Sequence, residues 1–369
     1  MIPLSVPSLE KSAWKYVKEC LDTGWVSSAG PFVGRFEEKT ARFTGAGHAV
    51  AAVNGTAALH AALRLAGAGP GVDVLVPALT FIATANAASY TGARLVFVDC
   101  EPNRFNMDLG LLDAALAARP RGRKAVVMAT HILGYPMDMK RTLEIAKRRG
   151  AVVVEDAAES IGSYWAGRHT GTWGLAGALS FNGNKIITTG GGGMLLTGDR
   201  ALARRAKHLT QQAKLDGIEY VHDEIGWNYR LTNILAALGV SQMESLPGFL
   251  RRRKTISSWY ASRLKGLAPI EPVEKKAVWN RWLLAVQTPD LAGRDRLLAD
   301  FEKAGVQARP LWRPVPLQKP YARAKASIPE ATLAYRTVVN IPSSTSLTER
   351  DVETVCRVLR GRALTRLLI

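Results

Sequence analysis

Cysteine is scarce in this chain. Its three residues, Cys20, Cys100 and Cys356, lie far apart among 369. Neither a disulfide framework nor a metal-ligand spacing follows from them, and reduced thiols in a cytoplasmic protein are the expectation. No apolar run reaches the 18 residues that a membrane-spanning helix needs. The opening stretch, MIPLSVPSLEKSAWKY, lacks a basic segment followed by an apolar one, so it does not read as a secretory signal. Acidic residues are also in short supply: 31 Asp and Glu stand against 49 Lys and Arg, a net charge of +18. Such an excess raises nucleic acid as a partner. The basic residues are dispersed, however, in short clusters at 119–124, 202–207 and 251–254. Each reads as the solvated face or end of a helix, and no zinc-finger spacing or nucleic-acid-stacking aromatic motif accompanies them. A small polyanion such as a nucleotide diphosphate fits the charge at least as well, and no nucleic-acid partner is expected. The six histidines show no metal-ligand spacing, and no metal site is expected.

What is present is an alternation of short apolar strands and helical patterns. Ala49–Val53 reads as a strand, followed by Asn-Gly-Thr and a helix with Leu59, Ala62, Leu63 and Ala66 on one face. The runs VDVLVP, RLVFVDC, KAVVMAT and AVVVED follow at intervals that leave room for crossover helices. Continuous runs of this kind suit strands buried on both faces, as in a parallel sheet. ALSF and MLLT come next. Near residue 240 the texture changes. Ser241 to Leu264 reads as one long helix, with Pro247 and Gly248 as the candidate interruption. RWLLAVQT reads as a strand, RDRLLADFEKAG as a helix stopped by Gly305, and the last helix runs from Thr348 to about Arg360. The expected fold is α/β: a mostly parallel central sheet flanked by helices over residues 1–245, and a smaller α+β domain over 246–369, with the N-terminal segment free to pack on the latter.

Three local patterns carry chemistry. Gly55-Thr56 lies between a buried strand and a helix start, where unpaired N–H groups and the helix dipole attract phosphate; an ordinary threonine cap is the competing reading. Glu155-Asp156 ends an apolar strand, where ligands of open α/β sheets bind. A carboxylate there needs a cation or several donors, and a protonated pyridine nitrogen is such a cation; a helix cap is the alternative. Lys185 sits in SFNGNKIITTGGGGMLLT, with Ser180 upstream and glycines 190–193 downstream. A partly desolvated amine there has a lowered pKa and can form a Schiff base with an aldehyde cofactor; a solvated lysine in a glycine-rich hairpin is the plain reading. One ligand answers all three patterns, pyridoxal 5′-phosphate (PLP). A dinucleotide fingerprint, GxGxxG, does not follow the first strand, which argues against a nicotinamide oxidoreductase.

The chain resembles the DegT/DnrJ/EryC1/StrS family of sugar aminotransferases along nearly its whole length. The segments that carry the resemblance are GWVSSAGPFVGRFEEKTARFTGA, AVNGTAALHAAL, VLVPALTFIATANAASYTGA, VVVEDAAESIGSYWAGRHTGTWG, SFNGNKIITTGGGGM and HDEIGWNYRLTNILAALG. SFNGNKIITTGGGG is similar to the branch acting on UDP-linked 4-keto-6-deoxy-N-acetylhexosamines, which makes precursors of bacillosamine and legionaminic acid. Many relatives carry an acid where this chain has Gly191.

The resemblance implies an aminotransferase type I fold, a homodimer and PLP, with glutamate as amino donor. By motif, Lys185 bonds the cofactor's aldehyde, Asp156 pairs with the ring nitrogen, and Gly55, Thr56 and Ser180 hold the phosphate. Phe81 lies against the ring, and Glu159 stands near the ring hydroxyl, where many relatives have glutamine. Asn228 reaches the phosphate of the other subunit's cofactor. Arg230, Trp312 and Ser27 or Ser28 lie on the nucleotide-sugar side. Glu155 faces away from Asp156. The stretch RPVPLQKP departs from the family: Pro316 stands where relatives often have histidine. His131 reads as a buried structural residue. Rivals within the family are a 3-keto nucleotide-sugar and a cyclitol aminotransferase; a dehydratase of this fold would carry histidine in place of Lys185. The non-enzyme alternative is a basic binding protein.

Overall fold

The computed structural model describes residues 1–216 and 218–369. Helices α1 (Lys11–Asp22) and α2 (Pro31–Thr44) come first. An alternating series follows: β1 (His48–Ala52), α3 (Gly55–Leu65), β2 (Asp73–Pro77), α4 (Ile82–Ser89), β3 (Arg94–Val98), α5 (Leu109–Ala117), β4 (Ala125–Thr130), α6 (Met139–Arg148) and β5 (Ala151–Asp156). A small hairpin, β6 (Tyr164–Trp165) and β7 (Arg168–His169), precedes β8 (Ala176–Ser180), β9 (Gly193–Thr197), α7 (Arg200–Thr210) and the long α8 (Asn233–Arg263). The remainder is β10 (Ala277–Val278), β11 (Leu284–Gln287), α9 (Leu291–Lys303), β12 (Arg309–Pro310), α10 (Pro329–Thr337), β13 (Val338–Ile341), α11 (Glu349–Arg360) and β14 (Arg366–Leu368).

The central sheet has the order β1-β9-β8-β5-β4-β2-β3. Only β9 runs against the rest, pairing antiparallel with both β8 and β1. The apolar runs are continuous because both faces are covered. Val74 and Val76 of β2, Val126 and Met128 of β4, and Val154 of β5 join one core with α3 and α4. Leu75, Val127, Ala129 and Val153 join another with α5 and α6. Alternate residues thus go to opposite sides.

The C-terminal part builds a four-stranded sheet, β12-β13-β11-β14, antiparallel throughout. Its core gathers Ile256, Tyr260, Val286, Leu297, Phe301, Val339 and Val355, and Ile2 of the N-terminus packs against it. Helix α8 passes through residue 245 without a break and contains Pro247, so proline does not interrupt it as expected. Proline's missing N–H removes one helical bond, a loss that a helix anchored on both cores can absorb.

Two devices dock the parts. Asp99, just after β3, accepts hydrogen bonds from the Glu330 and Ala331 N–H groups at 2.9 and 2.8 Å, so a carboxylate of one part caps helix α10 of the other. β10 pairs with β6. One residue of the basic cluster at 251–254 departs from its expected solvated position, while Arg251 and Lys254 are exposed. Arg253 is fully buried, its Nη1 donating to the carbonyls of Arg281 and Trp282 at 3.2 and 2.6 Å. Among the described residues, no helix is long and apolar enough to cross a membrane.

Candidate active site

The C-terminal ends of β4, β5 and β8 meet one cavity of about 310 Å³. Side-chain alternation decides what enters it. Asp156 follows Val154 on the α3–α4 face, Thr130 follows Met128, and Ser180 follows Ala178, all three on that same face. The cavity is lined by Gly55, Thr56, Phe81, Asp156, Glu159, Ser180, Lys185 and Trp312, together with Thr80, Thr84, Thr130, Asn182, Asn184 and Trp282.

Helix α3 brings Gly55 and Thr56. Its cap is Asn54, whose side chain accepts from the Ala57 N–H at 2.8 Å, so Thr56 is not the cap and its hydroxyl is left for a ligand. A Cβ on Gly55 would lie 2.8 Å from that of Ser180. Glycine therefore lets the Ser180 side chain close on the helix N-terminus. The glycine run does two further jobs. Gly190 has φ +81°, and a Cβ on Gly193 would strike the Asn54 carbonyl at 2.3 Å. The turn that returns the chain antiparallel into β9 thus presses the loop bearing Lys185 onto the start of α3.

Lys185 is nearly enclosed. Its Nζ lies 3.6 Å from Glu159 Oε1 and 3.9 Å from the centroid of the Trp282 ring. Burial lowers the pKa of this amine, and Glu159 and Asp156 oppose that fall. Burial raises the pKa of Glu159, against the pull of Lys185. Burial likewise raises the pKa of Asp156, while the Thr84 hydroxyl, the Ala158 N–H and the charge of Lys185 hold it down. Thr84 donates to Asp156 Oδ2 at 2.7 Å, Ala158 N–H to Oδ1 at 3.1 Å, and Thr80 shares a 2.8 Å hydrogen bond with Thr84.

Glu155 points the other way, as alternation requires. It is completely buried, and accepts the N–H groups of Gly171, Trp173 and Gly174 at 2.6–2.8 Å. His131 Nδ1 accepts from the Met137 N–H at 3.1 Å, which leaves the proton on Nε2, 3.2 Å from Glu155. His131 is therefore structural, and Glu155 pins the loop that follows β7.

Ser27, Ser28, Asn228 and Arg230 do not line this cavity within a single chain. Ser27 is fixed through its carbonyl, which accepts the Asn233 N–H at 2.6 Å at the start of α8. Arg230 donates to the Gln212 side chain at 3.3 Å. Pro316 is buried in a single turn, Val315–Leu317, where the Val315 N–H donates to the Ala78 carbonyl.

Trp282 is the main site residue that the sequence did not announce. Its indole N–H donates to the Asn184 carbonyl at 2.8 Å, and its ring lies nearly parallel to that of Trp312, 6.4 Å between centroids. Its carbonyl is held by Arg253 and Ser343. Within RWLLAVQT it reads as ordinary core. Only its approach to Lys185, across almost a hundred positions, reveals it.

The residues fit PLP on two grounds. Gly55 opens a cradle of free donors at a helix N-terminus, suited to a phosphate. A buried carboxylate and a depressed amine stand in the same cavity, suited to a basic ring nitrogen and an aldehyde. Fold and site together define a PLP-dependent aminotransferase. The chain belongs to the DegT/DnrJ/EryC1/StrS aminotransferase family, whose model matches residues 7–360. It is 37% identical over 364 residues to the GDP-perosamine synthase of Caulobacter vibrioides, with 97% of each chain covered. It is 31% identical to the UDP-N-acetyl-3-dehydro-alpha-D-glucosamine 3-aminotransferase of Acidithiobacillus ferrooxidans, over 88% of this chain and 86% of that one. Among solved structures, a DegT DnrJ EryC1 StrS aminotransferase from Brucella abortus superposes with a TM-score of 0.89 at 30% identity, covering 95% of each chain. The PLP form of Spr1654 from Streptococcus pneumoniae superposes with a TM-score of 0.91 at 25% identity, covering 98% of each.

Two outcomes follow from the electrostatics. In Glu159→Gln, burial of Lys185 loses its largest opposing charge, so the amine's pKa falls further and its neutral form persists to lower pH. Capture of added PLP by the apoenzyme, followed by visible absorbance, should therefore show its acid limb displaced to lower pH; an unmoved limb contradicts the coupling. Glu155→Gln and Asp156→Asn should separate by stability. The first leaves four converging donors facing a neutral amide and should cost about 3 kcal/mol in urea unfolding of the apoenzyme. The second should change that stability little, because burial already disfavours the Asp156 charge.

Proposed function

We propose that the protein moves an amino group from an amino-acid donor, glutamate, to the C4 keto carbon of a nucleoside-diphosphate-linked 4-keto-6-deoxy sugar. The observation that carries this is the Lys185 amine, held between Glu159 and Trp282 in the cavity that also contains Asp156.

In this reading Gly55, Thr56 and Ser180 bind the cofactor's phosphate, and Phe81 flanks the ring. When bound, PLP supplies an aldehyde to receive the amino group and a ring that withdraws electrons from the reacting carbon. Asp156, ionised, stabilises a proton on the ring nitrogen. Lys185 would hold the aldehyde carbon through its Nζ. Once free, that Nζ would take the donor's α-proton and pass it to the aldehyde-derived carbon, and in the second half-reaction would move a proton from that carbon to sugar C4. Glu159 keeps a second ionisable group within reach of that nitrogen. Donor and sugar use one cavity in turn, so kinetics are ping-pong. Trp312 and Trp282 offer apolar faces to the sugar ring.

Two carriers compete. The SFNGNKIITT motif favours a UDP-linked 4-keto-6-deoxy-N-acetylhexosamine. The name of the Caulobacter relative, a GDP-perosamine synthase, favours a GDP-linked sugar at that same carbon. The net charge of +18 suits either diphosphate. Single-turnover reaction of the pyridoxamine-phosphate form with UDP-, GDP- and dTDP-linked ketosugars should give the UDP or the GDP compound the highest rate by at least about tenfold. Preference for a 3-keto sugar, or for dTDP, overturns the assignment.

The working unit in this proposal is a dimer with shared sites. Asn228 and Arg230 lie outside their own chain's cavity, beside a segment that exposes Leu215, Ile218, Tyr220, Val221 and Ile225, with Ile218 and Ile225 at 88% and 89% exposure. Apolar groups so placed suit burial against a second copy, which would carry Asn228 to that copy's phosphate and Arg230 to its sugar, beside Ser27 or Ser28. Lys185→Ala alone should be inactive with its fold intact, and Asn228→Ala should lose most activity. Mixing the two under conditions of subunit exchange should restore activity, because half of the hybrid sites are whole. No recovery after demonstrated exchange refutes sharing.

A further inference from the structure

Thr130 is the one cavity-lining side chain, among the described residues, whose buried polar atom has no hydrogen-bond partner. It is 3% exposed. The other polar groups named in the cavity each have at least one partner: Asp156 accepts from Thr84 and the Ala158 N–H, Thr84 also meets Thr80, and Glu159 accepts from the Leu133 N–H at 2.9 Å. A buried hydroxyl without a partner is a standing cost to the fold, and it calls for an explanation such as an absent ligand.

Its position says which ligand atom would supply the partner. Thr130 ends β4 in register with Asp156 at the end of β5, and β8, which ends in Ser180, lies on the other side of β5. All three side chains emerge on one face, in the order Ser180, Asp156, Thr130. If Ser180 marks the phosphate and Asp156 the ring nitrogen, Thr130 lies towards the ring edge away from the phosphate arm. That edge of PLP carries the 2-methyl group and the 3-oxygen, and only the oxygen can satisfy a hydroxyl. A turn of about 120° about χ1 exchanges the threonine's hydroxyl and methyl, so either can face the cavity.

We propose that Thr130 is a further contact of the bound cofactor, its hydroxyl engaging the 3-oxygen of the ring. The proposal rests on the placement of PLP given above. It separates two effects that a merely structural threonine would join, because the hydroxyl is a burden to the empty protein and an asset to the loaded one.

The test compares wild type, Thr130→Val and Thr130→Ser as full-length apoenzymes. Valine keeps the shape and deletes the orphan, so the apo form of Thr130→Val should unfold at the same temperature as wild type or higher. Its affinity for PLP, measured by equilibrium titration, should fall about tenfold, while Thr130→Ser stays within about threefold of wild type. Titration with 3-deoxypyridoxal phosphate supplies the specific readout. Wild type should prefer PLP to this analogue by more than Thr130→Val does, the difference being the lost contact. Equal PLP affinity in wild type and Thr130→Val overturns the inference, as does an unchanged preference over the analogue. A wild-type apoenzyme that takes up no PLP overturns the functional reading itself, a distinct result.

Discussion

The site depends on a constraint of the β-strand: consecutive side chains leave on opposite faces. At the end of β5 this sends two adjacent carboxylates into different surroundings. Asp156 enters the cavity, where a threonine hydroxyl and one N–H partly satisfy it and capacity remains for a cation. Glu155 enters the other side, where three N–H groups and His131 consume it. One is free to do chemistry because the other spends its charge holding a loop. A register slip of one residue would exchange the roles and leave a buried carboxylate without enough donors.

The same economy governs Lys185. Burying an amine favours its neutral, nucleophilic form, and neighbouring carboxylates restrain the effect. Trp282 adds an aromatic face that stabilises the ammonium without a formal charge. The indole arrives from the C-terminal part, positioned by the buried Arg253 and by Ser343. The docking of the two parts, through the Asp99 clasp on α10 and the unbroken α8, is therefore a condition for the electrostatics of the lysine.

Glycine settles the remaining geometry. Gly55 and Gly193 are required by close approach, of Ser180 and of the Asn54 carbonyl respectively, and Gly190 by its positive φ. Gly191 is under no such demand. Its φ is ordinary, and a Cβ there would meet only the Val53 carbonyl, at 3.8 Å, so a side chain such as the acid of many relatives would find room at this edge of the cavity.

Local sequence patterns specify the main strands of the central sheet, their cover by helices on both faces and the crossover helices. They put Asp156 at a strand end, Gly55 at a helix start and Lys185 in the loop between β8 and β9. These are local matters: side-chain period, turn chemistry and the glycine run act over a few residues and can be read in order. The short strands β6, β7, β10 and β14 leave no such trace. The tertiary structure decided the unbroken course of α8 through Pro247, the burial of Arg253, the duties of Glu155 and His131, and the approach of Thr84, Thr130 and Trp282 to the site. Each depends on partners distant in the chain. Whether a polar side chain is satisfied or orphaned, or an indole packs in a core or against an amine, is fixed by what the fold brings within about 4 Å, and no local pattern carries that information.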